Sequence, residues 1–496
     1  MTRSIRMSVL QLLSLAAWSM SAFGQAADHC SQPSAAIADR VHLAHDDTVS
    51  ASQAIAAVQS AAPGLVLTPL DSIPGRNILL LSASWPNGWT VEQASAWMES
   101  VATLGLPGVV WGEIEYAGRV PEGGTGSIFV DEGPDLSIIP EQYAWQTLGI
   151  DPAQQLASGA STVAVLDTGI DPLHPLLVGR LAIGGWDFVA RSGDTTDRPD
   201  GADSDSDGVA NELVGHGTFV ASLIASAAPG ARILPVRVLD ADGGGSLWNL
   251  ARGLFHAIDR GVEVINVSIT STYSSEAVEL ALDEAAMHGI TVVASAGNCD
   301  SDTRMFPAAK SGVLAVAATD HLNHRAVFSS YGDWVSLAAP GASVLDSNGT
   351  PANTILGAGR SSTDTPGVVA ASGTSFAAPL VAAAAAMVRA QHPEWPADDT
   401  TAEAISDLLL DTAQSLVPSD PQWAPWLGAG LLDVSAAVAS GPAQPRVGDL
   451  DGDGVVGASD LAAVLGAWGL VHTSADIDGD GIVSASDLAA VLGNWG

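Results

Sequence analysis

Cysteine, lysine and tyrosine are scarce: the chain of 496 residues holds two, one and four of them. Cys30 and Cys299 are too few for a disulfide framework, so the fold must rest on a core. A bridge between them would tie the N-terminal region to position 299; the sequence favours an unbridged pair. Positive charge is equally sparse. Eighteen Lys and Arg, of which only Lys310 is lysine, face 55 Asp and Glu, a formal net charge of −37. That balance argues against a nucleic-acid or anionic-membrane partner and suits solubility, including in salty surroundings. Long apolar runs are almost missing. The stretch 9–23 is short for a bilayer and interrupted by Gln11, Ser14, Ser19 and Ser21. With Arg3 and Arg6 before it and small residues near Gly24 and Ala26 after it, it reads as a cleaved signal peptide, 1–26, in preference to an anchor. No later segment is expected to span a membrane, because the alanine-rich run after position 379 belongs to the core.

What is present is a 47% hydrophobic content, ample for a core, in a length that suggests about three domains. The most informative stretch is GTSFAAP (373–379), leading into LVAAAAAMVRAQ. It delivers Ser375 to the first turn of an almost wholly apolar, hence buried, helix. A helix N-terminus offers unpaired N–H groups and a positive dipole end, a setting suited to a serine that must become an alkoxide. The run STVAVL (161–166) ends at Asp167-Thr168-Gly169, as a buried parallel strand would end at a sheet's catalytic edge. Gly215-His216-Gly217-Thr218 opens another buried helix, and the strand 290–295 ends in Ala296-Gly297-Asn298. Carboxylate, imidazole, amide and hydroxyl thus lie at the ends of core elements, where open α/β sheets place ligands. A serine needs a neutral imidazole to take its proton, and the imidazole needs a carboxylate to fix its tautomer. The Asn298 amide and the Ser375 N–H suit the oxyanion. Each residue alone has an ordinary structural explanation, and ten other histidines lack such a setting; four matches in one order do not.

From about residue 142 to 438 the chain resembles the subtilisin-like serine proteases, the subtilase family. The resemblance rests on VAVLDTGID (163–171), GHGTFVASLIA (215–225), VEVINVS (262–268), VVASAGN (292–298), FSSYG (328–332), LAAPG (337–341) and SGTSFAAPLVAA (372–383). It implies Asp167 as orienting carboxylate, His216 as general acid/base, Ser375 as nucleophile and Asn298 as oxyanion donor. It also implies peptide or protein substrates. Where the family usually continues VINVS with Leu-Gly-Gly, this chain has Ile269-Thr270-Ser271, which alters the border of the cleft. The family's histidines after GHGT and after the serine motif are here Phe219 and Leu380. Gly243-Gly244-Gly245-Ser246 resembles the edge strand against which subtilases lay an extended substrate, so Gly244, Gly245, Ser246, Thr270 and Ser271 are the candidate substrate-binding residues.

Residues 27–119 read as a small separate domain. Strands are expected at 41–43, 65–70, 77–82 and 109–116 and helices at 52–59 and 90–104, the second opened by a Thr90/Gln93 capping box with Val91, Ala94, Trp97, Met98 and Val101 on one side. This split βαβ order resembles the inhibitory propeptide of many subtilases; a permanent accessory domain is the alternative. The glycine-rich stretch 120–133 reads as a linker and the expected place of processing.

The C-terminus carries a tandem repeat: 449–469 recurs as 476–496 with 17 of 21 positions identical. Each copy begins as a calcium loop, with Asp449, Asp451, Asp453 and Asp460, then Asp476, Asp478, Asp480 and Asp487, at positions 1, 3, 5 and 12, and Gly454 and Gly481 at the sharp turn. Leu461, Val464, Leu465 and Trp468 are expected on one helix face, repeated by Leu488, Val491, Leu492 and Trp495. So short a module buries little, and Ca2+ is expected to hold it together. The tail resembles a type I dockerin, which implies a cohesin-like partner; Ala458, Ser459, Ala485 and Ser486 at the partner-choosing positions identify none, and a calcium-stapled surface tag is the alternative. A further acidic loop precedes His216. In it Asp203, Asp205 and Asp207, with Glu212 nearby, copy the start of a calcium loop; a solvated acidic loop is the competing reading.

The expected fold is α/β: a doubly wound, mostly parallel sheet of the subtilisin type in 134–440. An α+β ferredoxin-like domain precedes it and, beyond a linker at 441–448, an all-α EF-hand-like module occupies 449–496. The expected function is that of a secreted, calcium-stabilised serine endopeptidase made as a proenzyme and extracellular, with a tail able to hold it at a cell surface. An esterase with the same triad and a catalytically idle extracellular docking protein are the rivals.

Overall fold

The structure, a computed structural model, describes residues 34–122, 130–204, 206–345, 351–360, 366–440, 450, 456–469, 475, 477 and 482–493. The signal-peptide reading and Cys30 therefore lie outside the described residues. The chain divides into two compact units, Met1–Val438 and Ala439–Gly496. No helix among the described residues is long and apolar enough to cross a membrane.

The first unit begins with β1 (Ala36–His45), the helix Ala51–Ala61, β2 (Val66–Ile73), β3 (Ile78–Ser84), the helix Val91–Ser100 and β4 (Val109–Arg119). The strands pair antiparallel in the order β2-β3-β1-β4. Capping boxes open both helices, Ser50 with Gln53 and Thr90 with Gln93, each satisfying two otherwise unpaired N–H groups. Of the expected apolar side of the second helix, Ala94 and Met98 are buried against Val41, Leu43, Leu81 and Ile114, and Val101, in the turn that follows, is also buried, whereas Val91, at its first turn, is exposed.

The stretch 120–133, read as a linker, is structured at both ends. Val120 and Glu122 are buried, and β5 (Val130–Gly133) pairs with the strand Pro366–Ala371. Glycine content suggested a free tether; the apolar and acidic side chains at its ends instead find partners in the body.

Seven strands form the central sheet: β6 (Thr162–Asp167), β7 (Trp186–Asp187), β8 (Arg232–Arg237), β10 (Val264–Val267), β11 (Thr291–Ser295), β12 (Val313–Thr319) and β13 (Leu337–Pro340), with β9 (Gly244–Ser246) apart from it. Their order is β13-β12-β11-β10-β6-β8-β7, and every pairing is parallel. Parallel strands are covered on both faces and therefore read as unbroken apolar runs. Accordingly Val163 and Val165 of β6 enter one core, with Phe219, Phe376 and the alanines of the Ser375 helix, while Ala164 and Leu166 enter the other, with Leu250, Leu254 and Leu282. The helices His216–Ala227 and Thr374–Gln391 thus cover one face, and Leu247–Asp259 and Glu276–Met287 the other. Position 299 departs from expectation: Cys299 is disulfide-bonded.

In the second unit, helices Ala458–Gly466 and Ala485–Gly493 meet through Val464 and Val491, with Val456, Ala475 and Val483. Leu461 and Leu488 are partly buried there, but Leu465, Leu492 and Trp468 are about half exposed. The expected four-residue face is therefore narrower than the sequence implied: two nine-residue helices can cover only one stripe of each other. Trp495 lies outside the described residues.

Candidate active site

Asp167 is the last residue of β6, and its Oδ1 accepts the Thr168 N–H at 2.8 Å. The same oxygen is 2.7 Å from Nδ1 of His216. His216 begins its helix directly after Gly215, whose φ of +99° suits glycine. Gly217 is required for a different reason: a Cβ there would fall 2.2 Å from the Gly169 carbonyl oxygen and 3.0 Å from Asp167 Cβ. This close approach brings the His216 helix down onto the end of β6.

Ser375 is the second residue of the helix Thr374–Gln391. Just beyond β11, Asn298 Oδ1 accepts the Thr374 N–H and the Thr374 hydroxyl, both at 2.9 Å, which fixes the amide so that Nδ2 turns toward Ser375. Asp167, His216 and Ser375 are buried. Four residues scattered over more than two hundred positions thus converge at the C-terminal edge of the sheet.

A fifth side chain lies among them. Glu122, 2% exposed, places Oε1 2.9 Å from Asn298 Nδ2 and 3.3 Å from the Ser375 backbone nitrogen. Its Oε2 accepts the Ser375 hydroxyl at 2.7 Å and stands 3.4 Å from His216 Nε2. Burial by itself would depress the His216 pKa, but the flanking Asp167 and Glu122 carboxylates outweigh it and raise the value to about 10. The imidazole is therefore cationic in this arrangement.

Beneath the dyad lies Asp197. Its Oδ2 accepts the Thr218 hydroxyl at 2.9 Å and the Thr168 hydroxyl at 3.3 Å, while the Thr168 hydroxyl oxygen accepts the Gly217 N–H. Burial pushes its carboxyl up to about 6 despite these bonds. Asp197 thus clamps the turn after β6 to the first turn of the His216 helix.

The expected substrate-binding strand is also filled. Ala117, Gly118 and Arg119 of β4 pair antiparallel with Ser246, Gly245 and Gly244 of β9. Arg119 bridges Thr270 on its other side, exchanging hydrogen bonds of 3.1 and 2.8 Å. The N–H of Val120 reaches the Gly243 carbonyl at 2.9 Å. The chain from 117 to 120 thus lies as an extended peptide between β9 and the Thr270 backbone. Ser271 is different: it pairs with Phe306, and its hydroxyl meets that of Ser34 at 2.9 Å. Side chains alternate along an extended strand, so only one of the two neighbours faces the cleft.

The loop before His216 does not gather its acids. Among the described residues no three His, Cys, Asp or Glu come together as a metal site, and Asp205 lies outside them. Asp207 Oδ1 accepts the Val209 N–H, and Asp242 accepts the N–H groups of Ser204 and Glu212. These bonds are carboxylate-to-backbone contacts within the described part of the loop. In the tail, Asp449, Asp451, Asp453, Asp476, Asp478 and Asp480 lie outside the described residues. Asp460 and Asp487 are buried, and each closes its loop in the same way: Asp460 accepts the N–H groups of Leu450 and Gly457, and Asp487 those of Ile477 and Ser484, at 2.6–2.7 Å. Buried all-oxygen donors repeated in two loops fit a hard cation such as calcium.

Sequence reasoning missed Glu122, which sits in an apparent linker, and saw Asp197 only as one acid in a loop. It also missed Glu113, whose carboxylate takes the Ser275 hydroxyl at 2.6 Å and the Glu276 N–H at 2.9 Å at the start of the helix Glu276–Met287. The only signals were a carboxylate beside a proline and an acid within an apolar strand.

Known proteins share sequence and fold with this chain. The Peptidase S8 family model, described as the subtilase family, matches residues 158–430. Thermitase of Thermoactinomyces vulgaris is 32% identical over 294 residues, covering 57% of this chain and 92% of its own. Subtilisin BL of Lederbergia lenta is 36% identical over 293 residues, with the same two shares. Among solved structures, fervidolysin from Fervidobacterium pennivorans, described as a keratinolytic enzyme related to subtilisin, shares the fold at a TM-score of 0.60 and 24% identity, over 84% of this chain and 62% of its own.

Proposed function

The chain belongs to the subtilase family of serine peptidases, and on that premise we propose that Ser375 is its nucleophile, His216 its general acid/base, Asp167 the orienting carboxylate and Asn298 an oxyanion donor. The enzyme is a subtilisin-type serine endopeptidase, which implies peptide or protein substrates. In the proposed cycle the Ser375 hydroxyl attacks the scissile carbonyl carbon and gives its proton to His216 Nε2. Asn298 Nδ2 and the Ser375 N–H take the oxyanion. Protonated His216 then supplies a proton to the leaving amine, and water repeats the sequence to release the acid. The observation that carries these assignments is the seat of Glu122: a carboxylate oxygen lies on both oxyanion donors while its twin lies against Ser375 and His216.

We further infer that the N-terminal domain, 27–119, is a leader removed in maturation by cleavage within 120–133, since segment 117–120 fills the substrate cleft, and that the chain is exported, in keeping with its N-terminal sequence and its charge. Asp460 and Asp487, with the acids of the two repeats, would hold calcium in the tail, and bound calcium would supply the loops' closure; a cohesin-like or cell-surface partner is the proposed ligand of that module. Labelling with a fluorophosphonate probe tests the central reading. The wild-type chain should label, Ser375→Ala should not, and casein cleavage should vanish with the label. Undiminished cleavage by S375A would overturn the assignment.

A further inference from the structure

Leaders that occupy a protease cleft are expected to present a peptide bond to the nucleophile. Here the oxyanion donors hold something else. Residues 117–120 run through the cleft in substrate fashion, and the side chain of Glu122 fills the reacting position. We propose that Glu122 is a product-mimicking latch, a side-chain carboxylate that occupies the oxyanion site and engages the Ser375 hydroxyl, holding the uncleaved chain inactive until residue 122 is withdrawn. The proposal rests on the assignment of Ser375 and His216 above.

Three features of the seat support it. First, the fit is bidentate: Oε1 takes Asn298 Nδ2 and the Ser375 N–H, and Oε2 takes the Ser375 hydroxyl. Hydrogen bonds to an ionised acceptor are about twice as strong as neutral ones, and this site is buried. Second, a carboxylate is a poor electrophile. Attack by Ser375 Oγ would give a tetrahedral adduct with negative charge on both former carboxylate oxygens and no leaving group but oxide, so the adduct can only revert. The group has the form a peptide takes after hydrolysis. Third, the base is disabled together with the hole. His216 lies between Asp167 on Nδ1 and Glu122 near Nε2, and their charges keep the imidazole protonated up to about pH 10 against the opposing effect of burial. An imidazolium cannot take the serine proton. Asp197 lies one residue layer away behind Thr168 and Thr218, and Asp171 donates its N–H to the Thr218 hydroxyl oxygen.

The seat is also shaped for this group. A Cβ at Gly373 would fall 1.8 Å from Glu122 Oε1, so the glycine before the Ser375 helix leaves the room that the carboxylate uses.

The test follows freshly produced full-length chain with time. Uncleaved and processed bands are separated on a gel, and the rate of fluorophosphonate labelling is measured for each. Wild type, Glu122→Ala and Glu122→Gln are compared; the glutamine keeps the volume but turns an N–H₂ toward existing donors, and it decides the matter where the alanine variant folds poorly, as judged by circular dichroism. The expected result is an uncleaved wild-type band that labels about 10²-fold or more slowly than the processed band, the order expected for losing one or two charge-assisted hydrogen bonds. In E122A and E122Q the uncleaved band should label at least about tenfold faster than the wild-type one. Equal labelling of all three uncleaved bands, with a reactive processed band, would overturn the latch and leave the protease reading intact. Failure of every band, processed included, would overturn both.

Discussion

Replacing Glu113 with alanine should undock the N-terminal domain without unfolding it. The helix Glu276–Met287 has no capping bond from its own Ser275 side chain and begins with Glu276 and Glu279. Its N-terminal groups are served from far away: Glu113 Oε1 accepts from the Ser275 hydroxyl at 2.6 Å and weakly from the Ala277 N–H at 3.4 Å, and Oε2 accepts from Glu276 N–H at 2.9 Å. His42 Nδ1 lies 2.7 Å from the same carboxylate, and both side chains are buried. An anion in a partly buried helix N-terminus is worth up to about 2 kcal/mol, and a hydrogen bond to a charged group about 1.5–3 kcal/mol. These terms overlap, since removing the carboxylate removes both at once. Stripping one partner from a buried set typically costs about 3–5 kcal/mol. The lower end is the better figure here, because water can reach the helix end once the domain lifts. About 3 kcal/mol corresponds to a docking equilibrium weakened by about 10²-fold.

The assay is amide hydrogen exchange on full-length Ser375→Ala, which lacks the proposed nucleophile. In the S375A/E113A double variant, protection of the Glu276 and Ala277 amides should fall by about two orders of magnitude. The amides of Leu43 and Ile114, within the β1–β4 pairing, should retain theirs, which separates undocking from unfolding. Protection at 276 and 277 unchanged within about twofold would refute the claim that this carboxylate holds the domain.

Other outcomes follow from the same geometry. Asn298→Ala should lower kcat by about 10²–10³ with little change in KM, a magnitude taken from the corresponding donor of subtilisin and not worked from this site; a purely KM effect would remove it from the oxyanion role. Uncleaved S375A chain should lose stability with rising pH. The folded His216 pKa is about 10 against an ordinary 6.5, so its contribution is fully present below about pH 6.5 and is lost as pH rises through about 10. Urea midpoints at pH 6, 8 and 10 should fall accordingly, and E122Q should flatten the trend. A chelator should unfold the tail, seen as a change in the fluorescence of half-exposed Trp468, and added calcium should reverse it; a signal indifferent to both would exclude the metal.

Motif ends were legible because short-range chemistry fixes them. β6 had to end near Asp167, since an apolar run needs two covered faces and an aspartate does not continue it. The second N-terminal helix was readable from its Thr90/Gln93 capping box for the same reason. Only the structure shows that Gly217 and Gly373 stand at close approaches and that Gly215 has a positive φ. What escaped was set by distance. Glu122 meets residues 94, 176 and 253 positions away, and no local pattern distinguishes such a glutamate from a solvated one. Asp197 looked like its acidic neighbours until two threonine hydroxyls and burial set it apart. The Leu465 and Leu492 stripe was overread because apolar periodicity says which side is apolar, not whether the partner is wide enough to cover it. Ser271 was grouped with Thr270 by adjacency, although strand alternation sends the two to different partners.

The Glu122 carboxylate also gives the catalytic steps a geometry. Oε1, held by Asn298 Nδ2 and the Ser375 N–H, marks where the carbonyl oxygen of a substrate gathers charge. Oε2, 2.7 Å from Ser375 Oγ and 3.4 Å from His216 Nε2, marks where an oxygen sits after it has been added to an acyl-enzyme. In deacylation the attacking water must lose its proton to Nε2 while approaching the acyl carbon, so its oxygen finishes in the Oε2 position. The 3.4 Å gap is long for a hydrogen bond and short for a nonpolar contact, as suits a state in which the transfer is over. The pair of donors is already oriented by Thr374, through Asn298 Oδ1, so the hole needs no rearrangement when charge develops. The leader therefore need not distort the site to silence it. By filling the hole with a finished product's chemistry, Glu122 uses catalytic preorganisation itself as the grip, and any change that weakens the latch by loosening Asn298 should weaken catalysis with it.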